Sequence, residues 1–179
     1  MPEERKTKIA ERLARSRVPL GFFCGVAVLY LALPTPRSLA IGGAIALLGE
    51  MVRIWAAGHL EKGNEVTQSG PYQITRHPLY AGSAIVALGA AVASARVSAA
   101  LLIGSYIIIT ILAAVRHEER NMRAKFGDGY DAYLESRTAQ VARAFSLRRA
   151  MKVNKEYKAV AGLVAFALIM AVKVALGTD

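Results

Sequence analysis

The hydrophobic residues of this chain gather into five stretches, each separated from the next by a polar, charged or proline-containing segment. These stretches cover residues 18–33, 39–60, 79–95, 97–115 and 159–176. An α-helix needs roughly 17–25 apolar residues to cross the hydrocarbon core of a bilayer, and each stretch is close to that length. The pattern predicts an all-α, multi-pass integral membrane protein with about five transmembrane helices, built as a single domain over residues 1–179.

The first two stretches have the features of a helical hairpin. Two prolines in Pro34-Thr35-Pro36 cannot continue a helix, and the loop between the stretches is short. Small residues at close spacing, Gly21 with Gly25 and Gly42 with Ala46, would let the two helix backbones approach. The first stretch is followed by no small-residue cleavage site with a soluble domain, so we interpret it as a retained helix and not as a signal peptide.

Proline and glycine also mark the third and fourth helices. Pro78 favours the first position of a helix, because its missing N–H would have no acceptor there, and His77 then becomes the N-cap residue. The fourth helical pattern continues beyond the apolar stretch without a helix breaker until Gly127 and Gly129. We therefore expect the fourth helix to project from the membrane surface.

A basic amphipathic helix is predicted after residue 130. Apolar residues recur there at helical spacing, while arginines occupy the other faces. Such a helix would lie on an anionic leaflet. The apolar positions are Tyr130, Leu134, Val141 and Phe145.

Charge predicts the orientation of the chain. The net charge is +10, and with a cytoplasmic N-terminus nineteen of the 23 Lys and Arg residues fall on the cytoplasmic side. Only Arg37 and Arg96 fall in the outer loops, which is a strong positive-inside bias. We expect a multi-pass protein whose N-terminus and polar segments are cytoplasmic, in the inner membrane if the organism is bacterial. Because the basic residues follow sidedness and lack interleaved aromatics, a nucleic-acid partner is not predicted.

Several kinds of site are excluded by spacing. The single cysteine, Cys24, can form neither an internal disulfide nor a cysteine metal site. Three histidines, at 59, 77 and 117, lie in different segments without metal-ligand spacing, so no metal site is predicted. The chain has no G-x-S-x-G sequence of a serine hydrolase and no G-x-G-x-x-G after a strand.

A charged pair lies inside the second stretch. Glu50 and Arg53 are one helical turn apart on the same face, where an unpaired charge would be costly. Two interpretations stay open for this pair. It is a structural ion pair, or Arg53 belongs to a site that attracts an anionic acceptor.

Two polar segments carry the remaining candidate chemistry. The first, residues 69–82, leads into the third helix, and the second, residues 116–120, ends the fourth apolar stretch on the same predicted side. The N-terminus of a helix offers N–H groups and a positive dipole to a carboxylate or phosphate. Glu118 and Glu119 offer carboxylates to cations and hydroxyl groups. Together these groups suit a zwitterionic, partly cationic cofactor such as S-adenosylmethionine.

The two segments also carry recognisable motifs. Residues 70–82 read G-P-Y-x-x-x-R-H-P-x-Y-x-G, and residues 118–133 read E-E-x-x-x-x-x-x-F-G-x-x-Y-x-x-Y. Both runs resemble the isoprenylcysteine carboxyl methyltransferase family and the related phospholipid methyltransferases. The resemblance covers roughly residues 64–133, whereas residues 134–179 diverge and add a further apolar helix.

The chemistry of methyl transfer suggests residues for the acceptor, and the resemblance implies residues for the cofactor. A base that removes a proton from an amine or thiol acceptor would be His77, Glu118 or Glu119, while a carboxylate acceptor needs no base. Arg53 and Arg116 are candidates for binding the acceptor, with Arg116 favoured as a phosphate anchor. The residues expected to contact the cofactor are Asn64, Glu65, Val66, Thr67, Tyr72, His77, Pro78, Leu79, Tyr80, Gly82, Glu118 and Glu119.

The expected function is that of an integral membrane methyltransferase. It would use S-adenosylmethionine to methylate oxygen, nitrogen or sulfur of a lipid or another lipophilic small molecule. Membrane lipids and this acceptor are the expected partners. The alternative is a non-catalytic membrane scaffold or subunit with the same helix arrangement. A sterol reductase shares part of the C-terminal pattern, but such chains are much longer.

Overall fold

All regular structure in the part of the chain that can be described is helical. The computed structural model describes residues 19–61, 66–127 and 143–177. Within these ranges five α-helices follow one another: α1 Pro19–Leu31, α2 Pro36–His59, α3 Pro78–Ser94, α4 Val97–Phe126 and α5 Tyr157–Leu176. A 3₁₀ turn at Gly70–Gln73 precedes α3, and a π-helical turn at Arg149–Val153 precedes α5.

The helices confirm a multi-pass membrane protein. Three of them, α2, α4 and α5, are long and apolar enough to cross a bilayer, and α1 and α3 are shorter apolar helices. Large apolar side chains such as Phe22, Leu101 and Leu168 are exposed on the outside of the bundle. Lipid would cover such side chains in a membrane, where apolar surface faces hydrocarbon and not water.

Two helix boundaries show how local sequence sets the fold. The second helix begins at Pro36, three residues before the predicted start, because Thr35 caps it and proline suits its first turn. Thr35 Oγ1 accepts the Ser38 N–H at 3.0 Å, and Ser38 Oγ accepts the Thr35 N–H at 2.9 Å. As predicted, α4 runs without interruption to Phe126 and ends at Gly127, whose φ is 47°.

The close helix packing differs from the predicted hairpin. Gly42 and Gly49 of α2 face α3, where a Cβ on Gly49 would lie 2.6 Å from the Val86 nitrogen. From the other side, a Cβ on Gly89 would lie 2.5 Å from the Ala46 nitrogen. The small residues of α2 therefore bring it against α3. A Cβ on Gly25 of α1 would meet no atom within 4 Å, so Gly25 does not form the expected contact with α2.

Hydrogen bonds identify two opposite ends of the bundle. At the first, Leu33 N–H donates to the Ser94 carbonyl at 2.9 Å. There too, Lys173 Nζ donates to the carbonyls of Leu29 and Ala32 at 2.8 and 2.6 Å, which satisfies the C-terminal end of α1. We call this the far end. The C-termini of α2 and α4 and the N-termini of α3 and α5 lie at the other end, the site end.

The predicted amphipathic helix is replaced, where it can be described, by a different arrangement. Residues 128–142 lie outside the described residues. Residues 143–146 are not helical, and helix resumes at Leu147. Arg143 and Phe145 contact the end of α2 instead of occupying two faces of one helix, because Glu61 and His59 lie there to receive them.

Candidate functional site

The two polar segments meet at the site end of the bundle. His77 Nε2 lies 3.4 Å from Glu119 Oε1, joining the N-terminus of α3 to the extended part of α4. The His77 ring also lies 5.8 Å from the ring of Tyr80, at an interplanar angle of 41°. The side chains of His77 and Glu119 are 22% and 40% exposed, so both are open to a ligand as well as to each other.

The start of α3 explains the orientation of His77. It is the N-cap residue, as predicted, and its carbonyl accepts the N–H groups of Tyr80 and Ala81 at 3.1 and 3.0 Å. Its imidazole makes no capping hydrogen bond and is directed instead to Glu119. Proline at the following position removes one N–H donor from the first turn. Because His77 begins α3 and contacts Glu119, the positive end of the α3 dipole lies beside a histidine and a carboxylate.

Neighbouring residues on α4 face different surroundings. Glu119 is half-buried against His77, whereas Glu118 and Arg116 are exposed. A helix turns by 100° per residue, so only one of two consecutive glutamates can face α3. The geometry distinguishes two residues that the sequence treated alike.

The remaining expected cofactor residues lie on the segment before α3 and on its first turns. Asn64 and Glu65 lie outside the described residues. Thr67 is buried, and its hydroxyl accepts the Glu61 N–H at 3.1 Å. Val66, Tyr72, Leu79 and Tyr80 are partly exposed, and Pro78 is buried.

Gly82 lies on the face of α3 that contacts α2. A Cβ at this position would lie 2.6 Å from Arg53 Cγ and 2.8 Å from the Gly49 carbonyl oxygen. This close approach to backbone and side chain requires glycine. In this structure Gly82 packs helix against helix.

Arg53 joins three helical segments at the site end. Its Nε lies 3.3 Å from Glu50 Oε2, its guanidinium forms an ion pair with Glu156, and it donates a hydrogen bond to the Ser83 hydroxyl. Glu50 and Glu156 are both buried. The geometry therefore supports the structural ion pair over a site for an anionic acceptor. No sequence pattern predicts the contact of Arg53 with Glu156, because the two residues lie far apart in the chain.

A buried histidine at the end of α2 supports the segment that leads to the motif. His59 Nδ1 lies 3.1 Å from Ser69 Oγ, and both residues are buried. Gly70 has a φ of +58°, and a Cβ there would lie 2.6 Å from the His59 ring. From the sequence, His59 was considered only as a possible metal ligand. The sequence signal for a structural role was the position of His59, directly after Gly58 at the end of a predicted helix.

An apolar groove of about 400 Å³ opens on the outside of α2 near the site end. It is lined by Met51, Ile54, Trp55 and Phe145. Its walls are side chains that a lipid tail would contact. Within residues 19–61, 66–127 and 143–177, no three His, Cys, Asp or Glu side chains gather into a metal-binding group.

These features define a class of protein: a membrane helix bundle with a histidine and a carboxylate facing each other where two of its helices meet the surface. Residues 38–129, just over half of the chain, match the phospholipid methyltransferase family. The chain belongs to this family, as the motifs predicted, and the match includes His77 and Glu119. Methyltransferases make up this family, which supports methyl transfer as the activity.

Similarity to individual proteins is more limited. The cobalt-zinc-cadmium resistance protein CzcN of Cupriavidus metallidurans is 32% identical over 96 residues, which are 51% of this chain and 44% of that protein. The chain thus spans less than half the length of this curated relative. No solved structure matches.

Proposed function

We propose that this protein is a membrane methyltransferase that uses S-adenosylmethionine to methylate a lipophilic acceptor at the bilayer surface. The contact between His77 and Glu119 carries the proposal, because it brings the two family motifs together at one end of the bundle. Membership of a methyltransferase family supports the reaction class. The likeness of residues 70–82 to isoprenylcysteine carboxyl methyltransferases supports a small lipophilic acceptor as well as a phospholipid.

The groups at the site end fit the proposed cofactor. The N-terminus of α3 suits its carboxylate, and the carboxylates of Glu119 and Glu118 suit its ammonium and ribose hydroxyl groups. The faces of Tyr80 and Tyr72 suit its sulfonium and adenine. Residues 64–67, including Val66 and Thr67, precede the motif and are proposed as further contacts. When bound, this cofactor supplies a methyl group on a positively charged sulfur.

In methyl transfer the acceptor displaces the sulfur from the methyl group. The protein residues mainly align the acceptor for this displacement and exclude water. A carboxylate acceptor attacks without losing a proton. An amine or thiol acceptor must lose a proton, and we assign the binding of this proton to the pair of His77 and Glu119. A carboxylate beside the imidazole stabilises the positive charge that the ring gains with the proton.

The acceptor approaches from the bilayer. Its apolar part would contact the groove beside Trp55 and Phe145, which lies near the site end on the lipid-facing side of α2. Arg116 is exposed at the start of the surface part of α4 and would hold an anionic headgroup. Arg53 is engaged by Glu50, Glu156 and Ser83, so we assign it a structural role and not the binding of the acceptor.

We propose that the site end faces the cytoplasm. Apart from Arg53, which lies within α2, the described Lys and Arg residues at this end belong to the group of nineteen that the sequence places inside. Arg37 and Arg96, the two outer basic residues, flank the N-termini of α2 and α4 at the far end. This distribution follows the positive-inside rule.

The test is binding of labelled S-adenosylmethionine to the purified full-length protein in detergent or nanodiscs. We expect His77→Ala to weaken binding about tenfold or more, which is the loss of at least one good polar contact. His117→Ala is the matched control, because His117 is exposed on α4 and its hydrogen-bond partner among the described residues is Asn121, at 3.0 Å. Equal affinities for wild type and His77→Ala would overturn the proposed site.

The acceptor is identified by incubating membranes with the methyl-labelled compound and extracting the labelled product. Label in a lipid or another lipophilic molecule supports the proposal. A wild-type protein that neither binds the cofactor nor transfers label would favour the non-catalytic scaffold.

A further inference from the structure

The C-terminal end of α2 is capped by hydrogen-bond donors from much later in the chain. A helix leaves its last four carbonyl groups without intrahelical donors. Arg149 Nη1 donates to the Gly58 carbonyl at 2.6 Å, and Ser146 N–H donates to the same oxygen at 3.2 Å. Asn154 Nδ2 donates to the carbonyls of Ala57 and Leu60 at 2.8 and 3.0 Å.

Charges and an aromatic ring reinforce this cap. Glu61 Oε1 receives Arg143 Nη1 at 2.6 Å and Arg149 Nε at 2.8 Å. The Phe145 ring packs on Gly58, where a side chain would collide with it, and lies 6.1 Å from the His59 ring. We call residues 143–156 the clasp. It fixes residues 57–61 from one side.

From the other side, the same residues hold the segment that leads to the site. His59 bonds to Ser69, and the Glu61 N–H donates to the Thr67 hydroxyl. Gly70 packs directly on the His59 ring. The 3₁₀ turn that contains Tyr72 follows at once, and His77 comes four residues after that turn. Contacts thus run from the clasp through the end of α2 to the segment 66–76.

The clasp lies outside residues 38–129, the part of the chain that matches the family. Its contacts are therefore additional to the shared motifs. Nothing in the proposed chemistry requires Arg149 or Asn154 to touch cofactor or acceptor. Their polar atoms are directed to backbone carbonyls and to Glu61.

We propose that Arg149 and Asn154 are positioning residues for methyl transfer, which fix the end of α2 and, through His59 and Glu61, the segment 66–76 before the motif histidine. This inference rests on the proposed function, because it concerns the same site. Catalysis by alignment is sensitive to small displacements, and an error of about 1 Å can cost roughly 100-fold in rate.

The experiment compares Asn154→Ala and Arg149→Lys with Lys173→Met in the full-length protein. Lys173 is the matched control, because it also donates two hydrogen bonds to the end of a helix, but at the far end of the bundle. Hydrogen–deuterium exchange of residues 66–76, binding of labelled S-adenosylmethionine and thermal unfolding are measured for each. The Arg149→Lys variant keeps the charge and serves as the milder change if removal of the amide prevents folding.

We expect both clasp variants to exchange faster over residues 66–76 and to bind the cofactor roughly tenfold more weakly. Lys173→Met should lower the unfolding temperature while leaving exchange in that segment and cofactor affinity near wild type. Unchanged exchange and affinity in both clasp variants, or equal losses in Lys173→Met, would overturn the inference. If wild type binds no cofactor but the clasp variants still loosen residues 66–76, the proposed function fails and the positional link stands.

Discussion

His77 Nε2 and Glu119 Oε1 lie 3.4 Å apart although 42 residues separate them in the chain. The contact joins the start of one apolar helix to the surface part of the next. It places an imidazole and a carboxylate beside the positive end of the α3 dipole. Two groups in contact at a site affect each other's contribution to binding, and this coupling can be measured.

A double-mutant cycle tests the pair. We expect His77→Ala and Glu119→Gln each to weaken binding of S-adenosylmethionine, and the double variant to lose less than the sum of the two. Contacting residues typically show coupling of about 0.5–3 kcal/mol. Affinity is measured with the labelled cofactor. Losses that add fully would show that the two side chains act independently, contrary to the proposed site.

Glu118 provides a comparison with Glu119 on the same helix. Because Glu118 is exposed and Glu119 faces His77, we expect Glu119→Gln to reduce methyl transfer more strongly than Glu118→Gln. Initial rates at saturating cofactor measure the difference. The opposite ranking would place the functional carboxylate at 118.

The buried cluster around Arg53 predicts an unequal effect on stability. Arg53→Met leaves the carboxylates of Glu50 and Glu156 buried without their cation, and breaking a buried pair in this way costs about 3–5 kcal/mol. Glu156→Gln leaves the pair of Arg53 and Glu50 intact, so its cost should be smaller, about 1–2 kcal/mol. Thermal or denaturant unfolding in detergent measures both. A larger loss for Glu156→Gln would contradict this account of the charges.

The adjacent residues Gly42 and Gly43 allow the effect of close helix packing on stability to be measured separately from the effect of helix propensity. Gly42 faces α3, where a Cβ would lie 2.5 Å from the Ala93 nitrogen, while a Cβ on Gly43 meets nothing within 4 Å. We expect Gly42→Ala to destabilise the protein by about 1–3 kcal/mol, as overpacking does. Gly43→Ala should be neutral or stabilising, because alanine favours the helix. Unfolding midpoints compare the two variants, and equal midpoints would rule out close contact of α2 with α3.

The orientation in the membrane can be read from single cysteines. The chain has one natural cysteine, so Cys24→Ser gives a background for Arg96→Cys at the far end and Arg120→Cys at the site end. In intact cells an impermeant maleimide should label position 96 and reach position 120 only after permeabilisation. Labelling in the reverse order would place the site outside. Labelling of both positions from outside would show that positions 96 and 120 do not lie at opposite ends of the bundle.

Much of this architecture follows from local sequence signals. The start of α3 at Pro78 and the end of α4 at Gly127 were predicted, because proline and glycine act on the backbone where they stand. Hydrophobic length located all five helices to within a few residues, except that α4 extends past its apolar part. Counting crossings placed the two polar segments on the same side, because one follows the second helix and the other follows the apolar part of the fourth.

Contacts between distant segments could not be predicted in this way. Small residues predicted that α2 would pack closely against another helix, but they do not indicate which one. The small residues of α2 face α3 and not α1. The ion pair of Arg53 with Glu156 and the bonds from Asn154 to the end of α2 have no periodic pattern. They depend on where the segment before α5 returns to the bundle, which only the folded chain determines.

The clasp also has a consequence for biosynthesis. Asn154 leaves the ribosome 94 residues after Leu60, whose carbonyl it binds. At about 5–20 residues per second the delay is roughly 5–20 s. During that interval the carbonyls at the end of α2 lack the donors that Arg149 and Asn154 supply in the folded protein. The proposed cofactor site would therefore gain the support of the clasp late in translation, when the segment before α5 emerges.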